Sequence, residues 1–314
     1  LPAAPPQLPG AAWQQADPGW IRDALRMSQA LPSGGWYVLD ASDAFEAAPR
    51  RVDVAGRALV VWRAGDQLLA APNACPHMGA PLEDARVYRG RLVCPWHGLS
   101  LGVAGHGEWR PFETFDDGAL SWVRLPHAGE VPTEAPYLTL RPRHALTSVL
   151  HVDVACDAPD VIANRLDPWH GTYLHPHAFA RLRVVEQLPD EVTVRVAYRV
   201  LGPLAVEVDA RFHCPDPRTI AMTIVRGDGA GSVVETHATP IGAGRTRVTE
   251  AVFATSDRAG FAFALRASWL LKPLLRRRSA RLWREDAAYA ERVCQLRHKP
   301  CVDDGKVIEL HPRR

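Results

Sequence analysis

Two short segments constrain this 314-residue chain more than anything else in it: Cys75-Pro76-His77 and, after sixteen intervening residues, Cys94-Pro95-Trp96-His97. Each sets a thiolate close to an imidazole. Two such loops facing one another can bind one iron of a [2Fe-2S] cluster through the cysteines and the other through the histidines, which lifts the potential well above that of an all-cysteine cluster. Pro76, Gly79, Pro95 and Gly98 suit that arrangement, because tight loops must close over a cluster and turn backbone N–H groups toward its sulfurs. The same four ligands could fill a structural zinc site, although zinc pairs usually follow C-x2-4-C and H-x3-5-H spacing rather than two mixed pairs.

The surrounding segment, 36–140, consists of short β-type runs (57–63, 67–71 and 120–125 among them) divided by Gly, Pro, Asn and Asp, and predicts a small all-β domain. Through Cys75-Pro76-His77-Met78-Gly79 and Cys94-Pro95-Trp96-His97-Gly98 it resembles the Rieske iron–sulfur family. Respiratory-chain members of that family carry an extra cysteine in each cluster loop, joined as a disulfide, and a serine hydroxyl that raises the potential. Ala80, Trp96 and Leu99 stand in those neighbourhoods here, so the resemblance implies the lower-potential oxygenase or ferredoxin branch.

Beyond residue 141 the texture changes to longer, cleanly alternating runs. Val192, Val194, Val196, Tyr198 and Val200 interleave with polar residues, as do Val206, Val208, Ala210 and Phe212, which is the pattern of half-buried antiparallel strands. Runs at 219–225, 232–239 and 245–253 continue the sheet before a helical segment at 258–296, with one helical interruption at 161–177. The expected fold class is α+β: an N-terminal all-β domain, then a curved antiparallel sheet gripping a long C-terminal helix. The expected division is a tail with a short helix near 18–29 (1–33), a cluster domain (34–141) and a catalytic domain (142–314).

That helical interruption contains Asn164, Asp167, His170 and His175. Two neutral imidazoles with one carboxylate form the facial arrangement that binds ferrous iron and leaves positions open. A five-residue step separates two side chains by about 140° on an ideal helix, so the helix is expected to end or distort between the histidines, and Gly171 is well placed for it. Leu275, Leu282, Tyr289, Val293 and Leu296 trace an apolar stripe on the last helix, and Asp286 falls on it. A carboxylate turned toward a core needs a strong partner, and a metal ion is a natural one. Its neighbour Glu285 falls with Arg278, Arg281 and Arg292 and is explained as a surface ion pair.

The spacing Asn-x2-Asp-x2-His-x4-His resembles, position for position, the motif of the catalytic domain of Rieske non-haem iron oxygenases, and does not select His177. The resemblance implies a helix-grip fold, a mononuclear Fe(II) held by His170, His175 and Asp286, and dioxygen as co-substrate. It also implies a homotrimer in which Asp167 bridges a cluster-ligating His77 or His97 of one subunit to an iron-ligating histidine of the next. Asn164 belongs to the same motif.

The 37 Lys and Arg nearly balance the 35 Asp and Glu, so no single-sign field calls for nucleic acid. Six irregularly spaced cysteines in a chain this long argue against a disulfide framework and for a reducing, cytoplasmic location. Residues 1–13 lack the basic start and apolar run of a secretory leader. The most apolar stretch, 261–275, is interrupted by Arg266, Lys272 and Pro273 and falls short of the ~20 residues a membrane span needs; Arg276-Arg277-Arg278 reads as a solvated face, with contact to an anionic membrane surface as the alternative. The Gly-rich piece 227–231 lies between strands and is no nicotinamide or flavin fingerprint, so electrons are expected from a ferredoxin and/or an NAD(P)H-dependent reductase. The expected activity is that of a terminal oxygenase, mono- or dioxygenase, which hydroxylates a hydrophobic small molecule. Cyclisation, demethylation or desaturation at the same iron, or service as a plain electron carrier, are the alternatives. Phe261, Phe263, Trp269 and Leu270 hint at the apolar substrate but also suit ordinary packing.

Overall fold

The structure is a computed structural model describing residues 12–126, 130–201 and 204–298; expectations for residues 1–11, for Cys301 and for the rest of the C-terminal end lie outside the described residues. Helix α1 (Pro18–Gln29) forms where the sequence prescribes it. Asp17 Oδ1 accepts the N–H groups of Gly19 and Trp20 at 2.8 and 3.2 Å, and Pro18 brings a fixed φ to the first helical position.

Nine short strands follow: β1 (Trp36–Ala41), β2 (Arg50–Val54), β3 (Arg57–Ala64), β4 (Gln67–Pro72), β5 (Arg86–Tyr88), β6 (Arg91–Val93), β7 (Ser100–Leu101), β8 (Glu113–Asp116) and β9 (Leu120–Arg124). They form three antiparallel sheets of three strands, in the orders β1-β9-β8, β2-β3-β4 and β5-β6-β7. The last of these carries the cysteine loops at its end. It is anchored by Trp62 on β3, whose buried indole donates from Nε1 to the carbonyl of Gly90 at 3.1 Å.

The larger domain opens with β10 (Leu146–Val154), α2 (Ala158–Leu166) and α3 (Gly171–Leu174). Six strands succeed them: β11 (Phe179–Gln187), β12 (Glu191–Leu201), β13 (Leu204–Asp216), β14 (Thr219–Gly227), β15 (Val233–Gly242) and β16 (Arg245–Ala254). Two helices, α4 (Phe261–Arg266) and α5 (Ser268–His298), end the described chain. The seven strands make one antiparallel meander from β11 to β16, with β10 added beside β16. Val192, Val194 and Val196 face Phe212, Ala210 and Val208 across the β12–β13 ladder, and all six are buried on the same face. That face closes over Val161 and Ile162 of α2 and Trp283 of α5; each such side chain contributes about 1.5–3 kcal/mol by leaving water.

Helix α5 sits in a different register from the predicted one. Its buried residues are Trp283, Asp286, Ala290 and Cys294, whereas Val293 and Leu296 are 39% and 53% exposed. Steps of three and four still join the buried set, so the inward face is rotated from the apolar stripe and Asp286 lies on both. The helical segment is also divided, at Ala267, into α4 and α5.

A shared apolar cluster ties the two domains: Trp36 and Trp122 of the smaller pack with Val149, Val233 and Phe253 of the larger. Arg141, in the connecting segment, stacks over Phe253 at 4.3 Å and gives Glu235 two hydrogen bonds of 2.7 Å each. Among the described residues the five cysteines are free thiols, and no helix is long and apolar enough to cross a membrane.

Candidate metal centres

The two cysteine loops are built alike. Cys75 N–H donates to Ala80 O at 2.9 Å and Gly79 N–H to Cys75 O at 2.8 Å; in the second loop Cys94 N–H reaches Leu99 O at 2.9 Å and Gly98 N–H reaches Cys94 O at 3.0 Å. Each turn closes through a left-handed glycine, Gly79 at φ 77° and Gly98 at φ 73°, where a β-carbon would strain the backbone. Both cysteines are buried at the inner end, while His77 and His97 are exposed at the outer end with their rings 4.8 Å apart, edge to face. Burial and the neighbouring Cys94 push the Cys75 thiol up; at Cys94 burial acts the same way but is outweighed by N–H groups of Trp96 and His97 donating to the sulfur, so it falls below its usual range. Inner sulfurs met by backbone N–H groups and outer imidazoles side by side form a donor set that suits a cluster with unlike ends. Met78 and Trp96, at the same tip, are 63% and 57% exposed.

In the larger domain the second motif spans the end of one helix and a single turn of the next. Helix α2 stops at Asp167 (φ −106°, ψ 72°), Pro168–His170 form a 3-10 turn, and α3 ends at His175 (φ −122°, ψ 53°), whose N–H still bonds Gly171 O at 3.0 Å. The backbone therefore bends before His170 and at His175. Gly171, expected to break the helix, is itself helical; its missing β-carbon instead leaves room for the Phe179 ring, which would lie 3.2 Å away.

This geometry brings His170 Nε2 and His175 Nε2 to 3.0 and 2.9 Å from one carboxylate oxygen, Oδ1 of Asp286. Their ligand atoms all lie within 4.8 Å of one another. Asn164 Nδ2 lies 3.4 Å from the same oxygen. Burial would raise the Asp286 pKa, but the hydrogen bonds from both imidazoles hold it well below the carboxylate range. His170 is lifted to about 9: burial acts downward, and Asp167 and Asp286 override it. Such a donor set, two imidazoles and a carboxylate, fits a divalent iron, which would displace a proton on binding. Asp167 is buried, with Oδ2 accepting from Tyr289 OH at 3.2 Å and Oδ1 lacking any partner among the described residues.

Glu285 departs from its predicted role. Rather than a surface partner of three arginines, it accepts His175 Nδ1–H at Oε2 (2.6 Å), and of those arginines only Arg281 approaches it, at 3.7 Å. His175 is thus gripped at both nitrogens by consecutive carboxylates of α5. His177 stays outside the triad, its Nδ1 3.9 Å from Glu285. A second possible ligand group, Asp157, Cys294 and His298, already surrounds a cation: Arg297 Nη2 lies 2.7 Å from Asp157 Oδ2 and 2.8 Å from Asp160 Oδ2. The triad borders a small cavity of about 50 Å³. A larger groove of about 410 Å³, lined by Asp117, Arg141 and Arg276 at the domain junction, contains none of the motif residues.

Comparison with known proteins bears on both halves. Residues 35–116 match the family described as Rieske [2Fe-2S] domain, and residues 127–300 the family described as domain of unknown function (DUF5914). The vanillate O-demethylase oxygenase subunit of Pseudomonas sp. (strain HR199 / DSM 7063) is 28% identical over 173 residues, 50% of this chain and 48% of its own. The chain belongs to the DUF5914 family through its larger domain, and a Rieske [2Fe-2S] domain precedes that domain. A second relative, the dicamba O-demethylase oxygenase component of Stenotrophomonas maltophilia, is 28% identical over 184 residues, 51% of this chain and 52% of its own. The chain thus spans about half the length of these two relatives. Oxygenase folds match more broadly. Dicamba monooxygenase bound to dicamba superposes with a TM-score of 0.62 at 19% identity, covering 84% of this chain and 88% of that one. The terminal oxygenase of carbazole 1,9a-dioxygenase from Novosphingobium sp. KA1 gives 0.53 at 15% identity, covering 91% and 89%.

Proposed function

We propose that this chain is a terminal oxygenase component that oxidises a small, largely apolar molecule with dioxygen and electrons from a ferredoxin and/or an NAD(P)H-dependent reductase. Cys75 and Cys94 hold the inner iron of a [2Fe-2S] cluster, and His77 and His97 the outer; His170, His175 and Asp286 hold a mononuclear Fe(II). One observation carries the reading: two imidazole nitrogens from one bent segment converge at 3.0 and 2.9 Å on a single buried carboxylate oxygen of a distant helix. Once bound, the cluster and the iron supply electron delivery and dioxygen activation.

The chain's own residues prepare the site. Glu285 accepts the Nδ1–H of His175, which leaves its Nε2 lone pair free for a metal, and Asn164 Nδ2 steadies Asp286 Oδ1. Leu182, Val194 and Phe212 give the cavity beside the triad an apolar wall. The relatives are named for O-demethylation of vanillate and of dicamba, which favours hydroxylation or O-demethylation of a small aromatic molecule.

In this reading the active form is a homotrimer in the cytoplasm. The cluster tip, with exposed His77, His97, Met78 and Trp96, is a surface that wants covering, and the partnerless Oδ1 of Asp167 wants a donor. A neighbouring subunit's cluster histidine meeting Asp167 satisfies both and links the two metals. Asp167→Asn is therefore expected to retain cluster and iron yet lose turnover; an active variant would end the bridging role. Iron analysis tests the whole: three irons per chain support the oxygenase, and two support an electron carrier whose larger domain only binds a ligand.

A further inference from the structure

One charged side chain of the triad's cavity has no hydrogen-bonded or ion-paired counterpart among the described residues, although its charge acts on Asp286. Arg165, on α2 two residues before Asp167, lines the same small space as His170, His175 and Asp286. Its Nε is buried without a hydrogen-bond partner, and among the described residues the guanidinium makes no hydrogen bond or ion pair. Phe212 and Trp283 flank it at 5.7 and 5.9 Å, which steadies the plane but offers no acceptor. The nearby acids make their hydrogen bonds to other groups, Asp286 to the two imidazoles, Asp167 to Tyr289 and Glu250 to Trp283 Nε1 at 2.7 Å, so the Arg165 charge reaches Asp286 only without a hydrogen bond. A partly buried cation with an unsatisfied donor costs free energy that a bound anion recovers. The remaining wall, including Phe179, Leu182 and Val194, is apolar, so a ligand here meets hydrocarbon along its body and a positive charge at one end.

We propose that Arg165 is a specificity-determining residue of the cavity: it takes the anionic group, a carboxylate or similar oxyanion, of an otherwise apolar substrate and so fixes which carbon faces the triad. The proposal rests on the oxygenase reading of the site. The 50 Å³ cavity is of the order of one acid group, and the apolar side chains must part to admit the ring.

The holoenzyme is titrated calorimetrically with benzoate and 2-naphthoate and, in parallel, with benzamide and 2-naphthamide, which keep ring and shape but carry no charge. Wild type is expected to bind at least one acid about tenfold or more tightly than its amide. Arg165→Met should abolish that preference, while Arg165→Lys, which keeps the charge but not the two-pronged geometry, should retain part of it. Iron content and the cluster's absorption are measured for every variant, so an unfolded or metal-depleted protein is recognised as such. Acid and amide behaving alike in the wild type, whether both bind or neither does, overturns the proposal, as does a preference that survives in Arg165→Met. Two irons per chain alongside an Arg165-dependent acid preference would instead defeat the oxygenase reading and leave the anion site standing.

Discussion

His175 is the most tightly determined side chain of the site, and the reason is that α5 presents two successive carboxylates to its two nitrogens. Asp286 Oδ1 lies 2.9 Å from Nε2 and Glu285 Oε2 lies 2.6 Å from Nδ1. A carboxylate on the far nitrogen of a metal-binding imidazole fixes its tautomer and raises its basicity, and losing one typically weakens metal binding by about 10–100-fold. Glu285→Ala is accordingly expected to weaken Co(II) or Fe(II) uptake by the metal-stripped larger-domain site by about that factor. Glu285→Gln, whose amide oxygen can still accept the Nδ1–H, should recover most of it. Equal affinity in the alanine variant and the wild type, measured by metal titration with the cluster spectrum as a folding control, would remove Glu285 from the site. Its neighbours Asn164, Asp167, His170 and His175 were legible in sequence because their spacing is a local property of one segment. Glu285 was not, because what it faces depends on where a helix more than a hundred residues away comes to rest, and a nearby run of arginines offered a sufficient explanation.

At the level of elements, alternation revealed the strands well because a half-buried strand must alternate: Val192, Val194 and Val196 are buried as their period requires. Helix α5 was harder. Its stripe was read one face away, since Val293 and Leu296 satisfy the 3.6-residue period as well as the buried Ala290 and Cys294 do, and only the position of the sheet and α2 decides between them. The joint between domains was not legible either, because Arg141 and Glu235 are 94 positions apart. That pair makes a prediction. Burial would raise the Glu235 pKa, but hydrogen bonds from His237 and Arg141 lower it from an ordinary 4.5 to about 2. A depressed folded-state pKa means stability that is present above about pH 4.5 and lost as pH falls toward 2. Glu235→Gln should therefore be less stable than wild type near neutrality by about 3 kcal/mol, and the gap in denaturation midpoint should narrow as pH drops below 4.5. A gap of constant size down to about pH 3 would mean that ionised Glu235 is not what holds the joint.

For the whole molecule, the proposed function asks where an electron leaving the cluster would go. Within one subunit the cluster loops end the smaller domain with their histidines facing outward, and Asp167 lies buried in the larger domain with an unused oxygen. If electron transfer runs between neighbours of a ring, no subunit needs both of its own metal sites. A chain disabled at the cluster (Cys94→Ser) and one disabled at the iron (His175→Ala) are each expected to be inactive alone. Unfolded together and reassembled in equal amounts, they place an intact cluster beside a neighbour's intact iron at about a quarter of the junctions of a random ring. Turnover should reappear at roughly that fraction of the wild-type level. Transfer within one subunit predicts none at any mixing ratio, because no chain in the mixture carries both sites. Reassembled wild type sets the attainable yield, so a silent mixture beside an active control would place the whole electron path inside a single chain and leave the exposed Met78 and Trp96 to some other contact.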